Sequence, residues 1–253
     1  MAFKLGHYPQ ALGCDLAVTV WYHRRITIKG RSMPLPGLYV FDAYGTLFDV
    51  HSAAAAHRAT IGAQWEKLSQ TWRSKHLEYS WIHALTGRDA NFWSLTERSL
   101  DFAIASVGGV PAGVREKLLA AYRTMQAFPE VPSVLAALKA RGARVAILSN
   151  GDPDMLADAV NSAGLSGVFD AVLSVRDAGV FKPDMAVYRL VLDRFGGTAD
   201  DVSFQSSNRW DIAGAEVFGF RTVWINRSGA PDEYPDMPAD RIVRDLTALV
   251  DAD

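Results

Sequence analysis

Short apolar runs recur along the chain, and in its second half they alternate with segments whose apolar residues lie three or four positions apart. Each run has the length of a buried parallel strand, is rich in β-branched or aromatic residues, and is bounded by Gly, Asp or Asn. The runs predict strands at 38–41, 144–149, 171–175, 201–207 and 222–226. The periodic segments predict helices at 131–142, 152–164, 183–197 and 208–220. Such alternation is typical of an α/β protein with a parallel sheet and helices on both faces.

The first two predicted strands are separated by roughly a hundred residues that have no strand pattern. This interval favours helices and is rich in Trp and Tyr. An insertion of that size after the first strand indicates a second, all-helical domain that covers one end of the sheet. We therefore expect an N-terminal extension of uncertain role at 1–36, a Rossmann-like catalytic core formed by 37–52 and 129–253, and a helical cap domain at 53–128.

The composition of the chain limits its expected binding partners and its expected location. The chain has 253 residues and a formal net charge of −2, which gives no electrostatic basis for binding nucleic acid or an anionic membrane. No run of about 18 apolar residues is present, so no membrane span is expected. Cys14 is the only cysteine, which excludes an intrachain disulfide and favours a cytoplasmic location. Met33 stands just before the first strand and is an alternative start of the chain.

Polar residues follow the predicted strands where each strand ends. In an open parallel sheet, ligands bind at the carboxyl ends of the strands. Residues far apart in the sequence therefore converge there, in the layout of an active site. They are Asp42 after the first strand, Ser149 and Asn150 after the second, Lys182 shortly after the third, Ser206, Ser207 and Asn208 after the fourth, and Asp211 in the next helix.

Four motifs in order along the chain, "FDAYGTLFDV", "LSNG", "VFKPDMAVY" and "SSNRWDIAGAEVFGF", resemble the haloacid dehalogenase superfamily. More narrowly, they resemble the L-2-haloacid dehalogenases. The resemblance covers about residues 38–250 and includes the helical insertion through "WRSKHLEYSW" at 72–81. It implies hydrolysis of short-chain L-2-haloalkanoic acids to D-2-hydroxyalkanoic acids, through an aspartyl-ester intermediate, with inversion and without a metal.

Departures from the phosphatase pattern separate this branch from most of the superfamily. A phosphatase of this type has D-x-D in the first motif, and its second Asp is the general acid, whereas this chain has Tyr44 there. The fourth motif lacks the paired acids that bind magnesium in phosphatases, and Mg²⁺ prefers carboxylate oxygens. We therefore expect no metal and no other cofactor, with a 2-haloacid and water as the small-molecule partners.

The resemblance assigns a role to each candidate residue. Asp42 would be the nucleophile, which Lys182 keeps ionised and oriented, and Tyr188 would help to position that pair. The remaining predicted catalytic residues are Thr46, Ser206, Asn208 and Asp211, the last three of which would orient or deprotonate the hydrolytic water. The predicted substrate and halide ligands are Arg73, Tyr44 and Asn150 for the halide, Ser149 for the carboxylate, and Leu77, Phe92 and Trp210 for the apolar pocket. A homodimer is also expected from the family.

Other interpretations stay open for the sequence alone. The principal alternative is a superfamily phosphatase that acts on a small phosphomonoester. A non-catalytic binding module would keep the fold but lose the nucleophile or the lysine, and a nucleotide dehydrogenase would need G-x-G-x-x-G where "DAYGT" stands. The individual residues also have structural interpretations, as a turn cap for Asp42, an ion-pair partner for Arg73, and turn formers or a helix N-cap for residues 206–208.

Overall fold

The computed structural model describes residues 37–251. The predicted N-terminal extension at 1–36, the alternative start at Met33 and the isolated Cys14 lie outside the described residues. Within the described part of the chain, no helix combines the length and the apolar character that crossing a bilayer requires.

A six-stranded parallel sheet forms the centre of the fold and confirms the predicted α/β class. Its strand order is β3-β2-β1-β4-β5-β6, and every neighbouring pair is parallel. Five strands correspond to the predicted runs, and the short sixth strand at the edge was not predicted. The strands are β1 (Leu38–Phe41), β2 (Arg144–Ser149), β3 (Ala171–Ser174), β4 (Val202–Ser206), β5 (Arg221–Ile225) and β6 (Arg241–Val243).

Helices account for the long interval between the first two strands, as predicted. The described residues between β1 and β2 contain α1 (Ser52–Ala56), α2 (Arg58–Ile61), α3 (Trp65–Thr86), α4 (Phe92–Ser106), α5 (Val114–Arg123) and α6 (Val131–Ala140). The longest of them, α3, packs against α4. The division of this interval into a cap domain at 53–128 and a core remains a prediction.

The helices that follow the later strands position the rest of the site. They are α7 (Pro153–Ser162) after β2, α8 (Met185–Phe195) after β3 and α9 (Arg209–Phe218) after β4. Helices α8 and α9 approach closely at Gly214, where the Cβ of any larger residue would lie 2.5 Å from the Tyr188 hydroxyl and 2.8 Å from Pro183 Cβ. Only the absence of that carbon lets Tyr188 lie against α9.

The order of the strands fixes where a ligand can bind. The chain crosses from β1 to β2 on one side of β1 and later returns to form β4 on its other side. The carboxyl end of β1 is therefore the topological switch point of the sheet, where open α/β sheets form a crevice. The backbone N–H of Asp42 donates to the carbonyl oxygen of Gln205 at 2.9 Å, which extends the pairing of β1 and β4 to the residue at this point.

Candidate active site

Asp42 lies at the switch point and is almost completely buried, with 5% of its surface exposed. Its Oδ1 accepts from Lys182 Nζ at 3.2 Å. Its Oδ2 accepts from the Thr46 hydroxyl at 3.0 Å, from Asn208 Nδ2 at 2.8 Å and from the Ser206 hydroxyl at 3.5 Å. The carboxylate is therefore held by donors from separate segments of the chain and has little freedom to rotate.

Lys182 is fully buried, and its ammonium lies between two carboxylates. Nζ donates to Asp42 Oδ1, to Asp211 Oδ2 at 2.8 Å and to the Leu148 carbonyl oxygen at 2.7 Å, so all three of its protons have acceptors. Burial acts to lower the pKa of Lys182, but the charges of Asp211 and Asp42 outweigh it and raise the pKa overall. The lysine is a permanent cation beneath the nucleophile position.

Asp211, in the first turn of α9, is the second carboxylate of this cluster and is also fully buried. Its Oδ1 accepts from the Tyr188 hydroxyl at 2.8 Å, while its Oδ2 pairs with Lys182. Burial raises the pKa of Asp211 to about 6 and the charge of Asp42 adds to the rise, whereas Lys182 and the Tyr188 hydrogen bond lower it. Tyr188 was expected to position the Asp42–Lys182 pair, and the structure places its hydroxyl on Asp211, one group further away.

Arg73 reaches this centre from α3, in the inserted helices. Its Nη2 donates to the Tyr44 carbonyl oxygen at 3.1 Å and to Asn208 Oδ1 at 3.0 Å. Because Asn208 Nδ2 donates to Asp42, one amide group connects the guanidinium to the buried carboxylate. Asn208 is the N-cap residue of α9, but its side chain makes no cap hydrogen bond. The side chain serves the site instead of the helix end.

The second strand contributes Ser149 and Asn150, which the structure places at the same end of the sheet. The Ser149 hydroxyl accepts from the Gly151 N–H at 3.1 Å, and Asn150 Oδ1 accepts from the Lys182 N–H at 2.9 Å. Asn150 therefore holds the backbone that carries Lys182. The Thr46 hydroxyl likewise accepts from the Ser207 N–H at 2.8 Å, which ties the turn after β1 to the end of β4.

Aromatic side chains form an apolar wall over part of the site. The Tyr44 ring lies 5.3 Å from the ring of Phe92 and 5.7 Å from that of Tyr122, centroid to centroid. Burial raises the pKa of the Tyr44 hydroxyl well above its ordinary value, so the side chain is neutral. Trp210 is half-buried and meets Trp81 of α3 edge to face at 5.5 Å. Leu77 is half-buried on the same helix.

Three buried polar residues of the helical insertion were not predicted as part of the site. His76 of α3 forms hydrogen bonds with Thr96 of α4 and with Tyr122 of α5, beside Arg73. No local pattern marks them, since each lies on the buried side of its helix, where an ordinary core residue would fit. Only the packing of three helices brings them together.

The donor set of the site does not favour a metal. In the stretch 37–251, no group of three or more His, Cys, Asp or Glu side chains is arranged to hold a metal ion. The Lys182 ammonium lies between Asp42 and Asp211, in the position that a metal ion would need, and already supplies a positive charge there. The arrangement can supply a buried, oriented carboxylate nucleophile in a site from which water is largely excluded.

Comparison with known proteins agrees with this geometry. A model of the haloacid dehalogenase-like hydrolases matches residues 37–219. The (S)-2-haloacid dehalogenase 4A of Burkholderia cepacia is 44% identical over 211 residues, which cover 83% of this chain and 91% of that protein. The (S)-2-haloacid dehalogenase of Pseudomonas sp. (strain YL) is 42% identical over 212 residues, which cover 83% of this chain and 91% of that protein.

Solved structures give the same result. A crystal structure of a dehalogenase superposes with a TM-score of 0.84 at 42% identity and covers 86% of this chain and 96% of that one. The L-2-haloacid dehalogenase of Xanthobacter autotrophicus, solved with chloropropionic acid covalently bound, gives a TM-score of 0.75 at 37% identity and covers 85% of this chain and 97% of that one.

The fold and the matched family model define the class as a haloacid dehalogenase-like hydrolase. The extent and identity of the relatives place the chain within the (S)-2-haloacid dehalogenases of that class. The resemblance carried by the four sequence motifs is thereby confirmed.

Proposed function

We propose that this protein hydrolyses short-chain L-2-haloalkanoic acids to D-2-hydroxyalkanoic acids without a metal. The observation that carries the proposal is the buried cluster in which Lys182 Nζ joins Asp42 Oδ1 and Asp211 Oδ2 at 3.2 and 2.8 Å. The cluster has a nucleophile and a fixed cation, and the position where a phosphatase keeps its acid is occupied by the neutral Tyr44. The similarity to (S)-2-haloacid dehalogenases supports the same activity.

In the first step, an oxygen of Asp42 attacks the α-carbon of the substrate from the side opposite the halogen. A carbon–oxygen bond forms, the carbon–halogen bond breaks, and the halide leaves with the bonding electron pair. The product is an ester between Asp42 and the alkanoic acid, and the backside attack inverts the α-carbon. Covalent catalysis of this kind divides hydrolysis into two easier steps.

In the second step, water attacks the carboxyl carbon of Asp42. The bond from that carbon to the ester oxygen breaks, which releases the hydroxy acid and regenerates the carboxylate. We assign Asp211, Ser206 and Asn208 to orienting or deprotonating this water, and Thr46 to holding Asp42. The burial of Asp211 and its pKa of about 6 suit a group that accepts a proton near neutral pH.

The remaining residues bind the substrate in this proposal. Arg73, with Asn150 and Tyr44 beside it, stabilises the departing halide, and Ser149 with neighbouring backbone N–H groups holds the carboxylate. Leu77, Phe92 and Trp210 line the apolar pocket. Support comes from the contact of Arg73 with Asn208, which places the guanidinium one amide away from Asp42.

We further propose a cytoplasmic homodimer whose chains each consist of a core with a helical cap at 53–128. Large apolar side chains on α3 and α4 support an interface between copies, because Ile82, Leu85 and Phe102 are 52%, 84% and 44% exposed. The net charge of −2 and the absence of a predicted disulfide agree with a cytoplasmic enzyme that binds neither nucleic acid nor membranes.

The test is halide release from L- and D-2-chloropropionate in the presence of EDTA, with p-nitrophenyl phosphate and magnesium in parallel. We expect chloride from the L isomer alone and no dependence on metal. Phosphate release that requires magnesium, without chloride from either isomer, would show that the protein is a phosphatase and that the proposal is wrong.

A Tyr188→Phe variant should lose activity at a higher pH than the wild type when the solution is acidified. The Tyr188 hydrogen bond lowers the pKa of Asp211, so its removal raises that pKa and Asp211 becomes protonated earlier. One hydrogen bond to a charged group corresponds to a shift of about one pH unit in the acidic limb of kcat. The measurement is the pH profile of kcat for halide release. Tyr79→Phe on α3 is the matched control, and an unchanged acidic limb in Tyr188→Phe would contradict the role of Asp211.

A further inference from the structure

A series of buried hydrogen bonds crosses the three longest helices of the insertion and ends beside Arg73. His76 is 1% exposed, and the side chains of Thr96 and Tyr122 are also buried. His76 Nε2 lies 3.2 Å from the Thr96 hydroxyl oxygen, and His76 Nδ1 lies 3.4 Å from the Tyr122 hydroxyl oxygen. The Tyr122 side chain in turn lies next to Arg73, since the two line the same small cavity.

The direction of each hydrogen bond follows from the donors available. The Thr96 hydroxyl donates its single proton to the Phe92 carbonyl oxygen at 2.9 Å, so it can only accept from His76. His76 therefore carries its proton on Nε2, and its Nδ1 accepts the proton of the Tyr122 hydroxyl. The oxygen of Tyr122 is then left to accept from Arg73, which has only donors.

The electrostatics agree with this assignment. Burial lowers the pKa of His76 to about 3, and the charge of Arg73 contributes to the lowering, so the imidazole is neutral. Its Nδ1 therefore carries no proton and can accept one from the Tyr122 hydroxyl. Burial raises the pKa of Tyr122 to about 12 although Arg73 opposes the rise, so the tyrosine keeps its proton. Arg73 therefore remains the single charge at the end of a neutral chain.

The guanidinium is thereby held from two sides. The Tyr44 carbonyl oxygen and Asn208 Oδ1 accept from it on the side of Asp42, and the Tyr122 hydroxyl oxygen lies next to it on the side of the helices. A small cavity lies beside it, lined by Val50, Ser69, Trp72, Arg73, His76 and Tyr122.

We propose that Thr96, His76 and Tyr122 are positioning residues that hold the Arg73 guanidinium in the orientation in which it stabilises the departing halide. This inference rests on the proposed function and names three residues that act through Arg73 without touching the substrate. Departure of chloride needs more stabilisation than departure of bromide, since chloride is the poorer leaving group. Loss of these hydrogen bonds should therefore slow halide release most strongly with chlorinated substrates.

The experiment compares kcat/KM for L-2-chloropropionate and L-2-bromopropionate, because this parameter reports the steps up to halide departure. Loss of one hydrogen bond to the charged group predicts a fall of about tenfold with the chlorinated substrate in Tyr122→Phe, and a fall of about twofold with the brominated one. His76→Leu should behave alike. His76→Gln should retain the wild-type ratio, since an amide offers one acceptor and one donor. Tyr39→Phe, which removes the hydroxyl of another buried tyrosine residue, is the control.

Coupling to Arg73 separates positioning from general destabilisation. In an Arg73→Lys background, Tyr122→Phe should leave the chloride-to-bromide ratio unchanged, because the group that it positions is already absent. Equal losses with both halides in Tyr122→Phe, or an equal change of the ratio with and without Arg73, would overturn the inference. A wild-type enzyme that releases no halide would instead overturn the proposed function, so the two failures are distinguishable.

Discussion

An Asp42→Asn enzyme should release halide from L-2-chloropropionate at least about 10⁴-fold more slowly than the wild type, because an amide cannot replace the carboxylate nucleophile of covalent catalysis. The substitution keeps the shape of the side chain, and the neighbouring Thr46 and Asn208 remain in place. It removes the negative charge that pairs with Lys182 at 3.2 Å. The expected loss is therefore chemical and does not require a change of fold.

The measurement has two parts. Halide release gives the rate, and a single turnover in water enriched in ¹⁸O gives the route of the oxygen. If water attacks the carboxyl carbon of Asp42, the first product molecule carries an oxygen from the enzyme, and the peptide that contains Asp42 gains a heavy oxygen. Asp193→Asn on the surface of α8 is the control and should retain full activity. Heavy oxygen found only in the first product, or an active Asp42→Asn enzyme, would rule out the ester intermediate.

Replacement of Lys182 by Met should have the second largest effect, on stability as well as on activity. The ammonium is fully buried between Asp42 and Asp211, and an uncharged side chain of similar length leaves both carboxylates without their cation. Removal of one partner from a buried ion pair lowers the free energy of unfolding by about 3–5 kcal/mol. Halide release should fall below detection, since the nucleophile loses the group that orients it.

The stability loss should depend on pH in a defined direction. Burial raises the pKa of Asp211 to about 6 even with Lys182 present, and loss of the cation raises it further. A carboxyl whose folded pKa exceeds its unfolded pKa binds its proton more tightly in the folded state. The destabilisation is therefore largest above the folded pKa and diminishes as the pH falls towards the unfolded value near about 4.

Urea denaturation of wild type and Lys182→Met at about pH 5 and about pH 8 measures this difference. Lys139→Met is the matched control, because Lys139 pairs with Asp170 at 2.8 Å on the surface, where an ion pair contributes at most about 1 kcal/mol. We expect Lys182→Met to lose less free energy of unfolding, relative to the wild type, at the lower pH than at the higher pH. A loss of unfolding free energy as small as that of Lys139→Met, or a loss that grows as the pH falls, would contradict the buried cluster.

Much of the site could be predicted from the sequence because the end of each strand is marked by a change from apolar to polar residues. The apolar runs end on Asp42, Ser149 and Ser206, and the parallel arrangement of β1, β2 and β4 brings these ends to one edge of the sheet. The structure brings Lys182, which follows β3 after a short connection, to the same edge, 3.2 Å from Asp42. In each case, a local boundary and one topological rule were sufficient.

The remaining features depend on packing between elements that are distant in sequence. The contact of Tyr188 with Asp211 depends on the close approach of α8 and α9 at Gly214, which neither helix pattern reveals. The edge strand β6 has only three residues, too few for a recognisable alternation. His76 and Tyr122 lie on the buried sides of their helices, so the contact between them becomes visible only when α3 and α5 are placed side by side.

Because of the Lys182 contacts, catalytic activity also reports the fraction of molecules that are folded. These contacts join positions separated by 140 residues on one side and 29 on the other, and the ammonium is closed off from solvent. Opening of any one of the three segments breaks the cluster, so no fragment that lacks one of them retains part of the chemistry. Residual activity after heating or proteolysis therefore counts intact molecules rather than partly working ones, and an activity assay on this enzyme is also an assay of its conformational integrity.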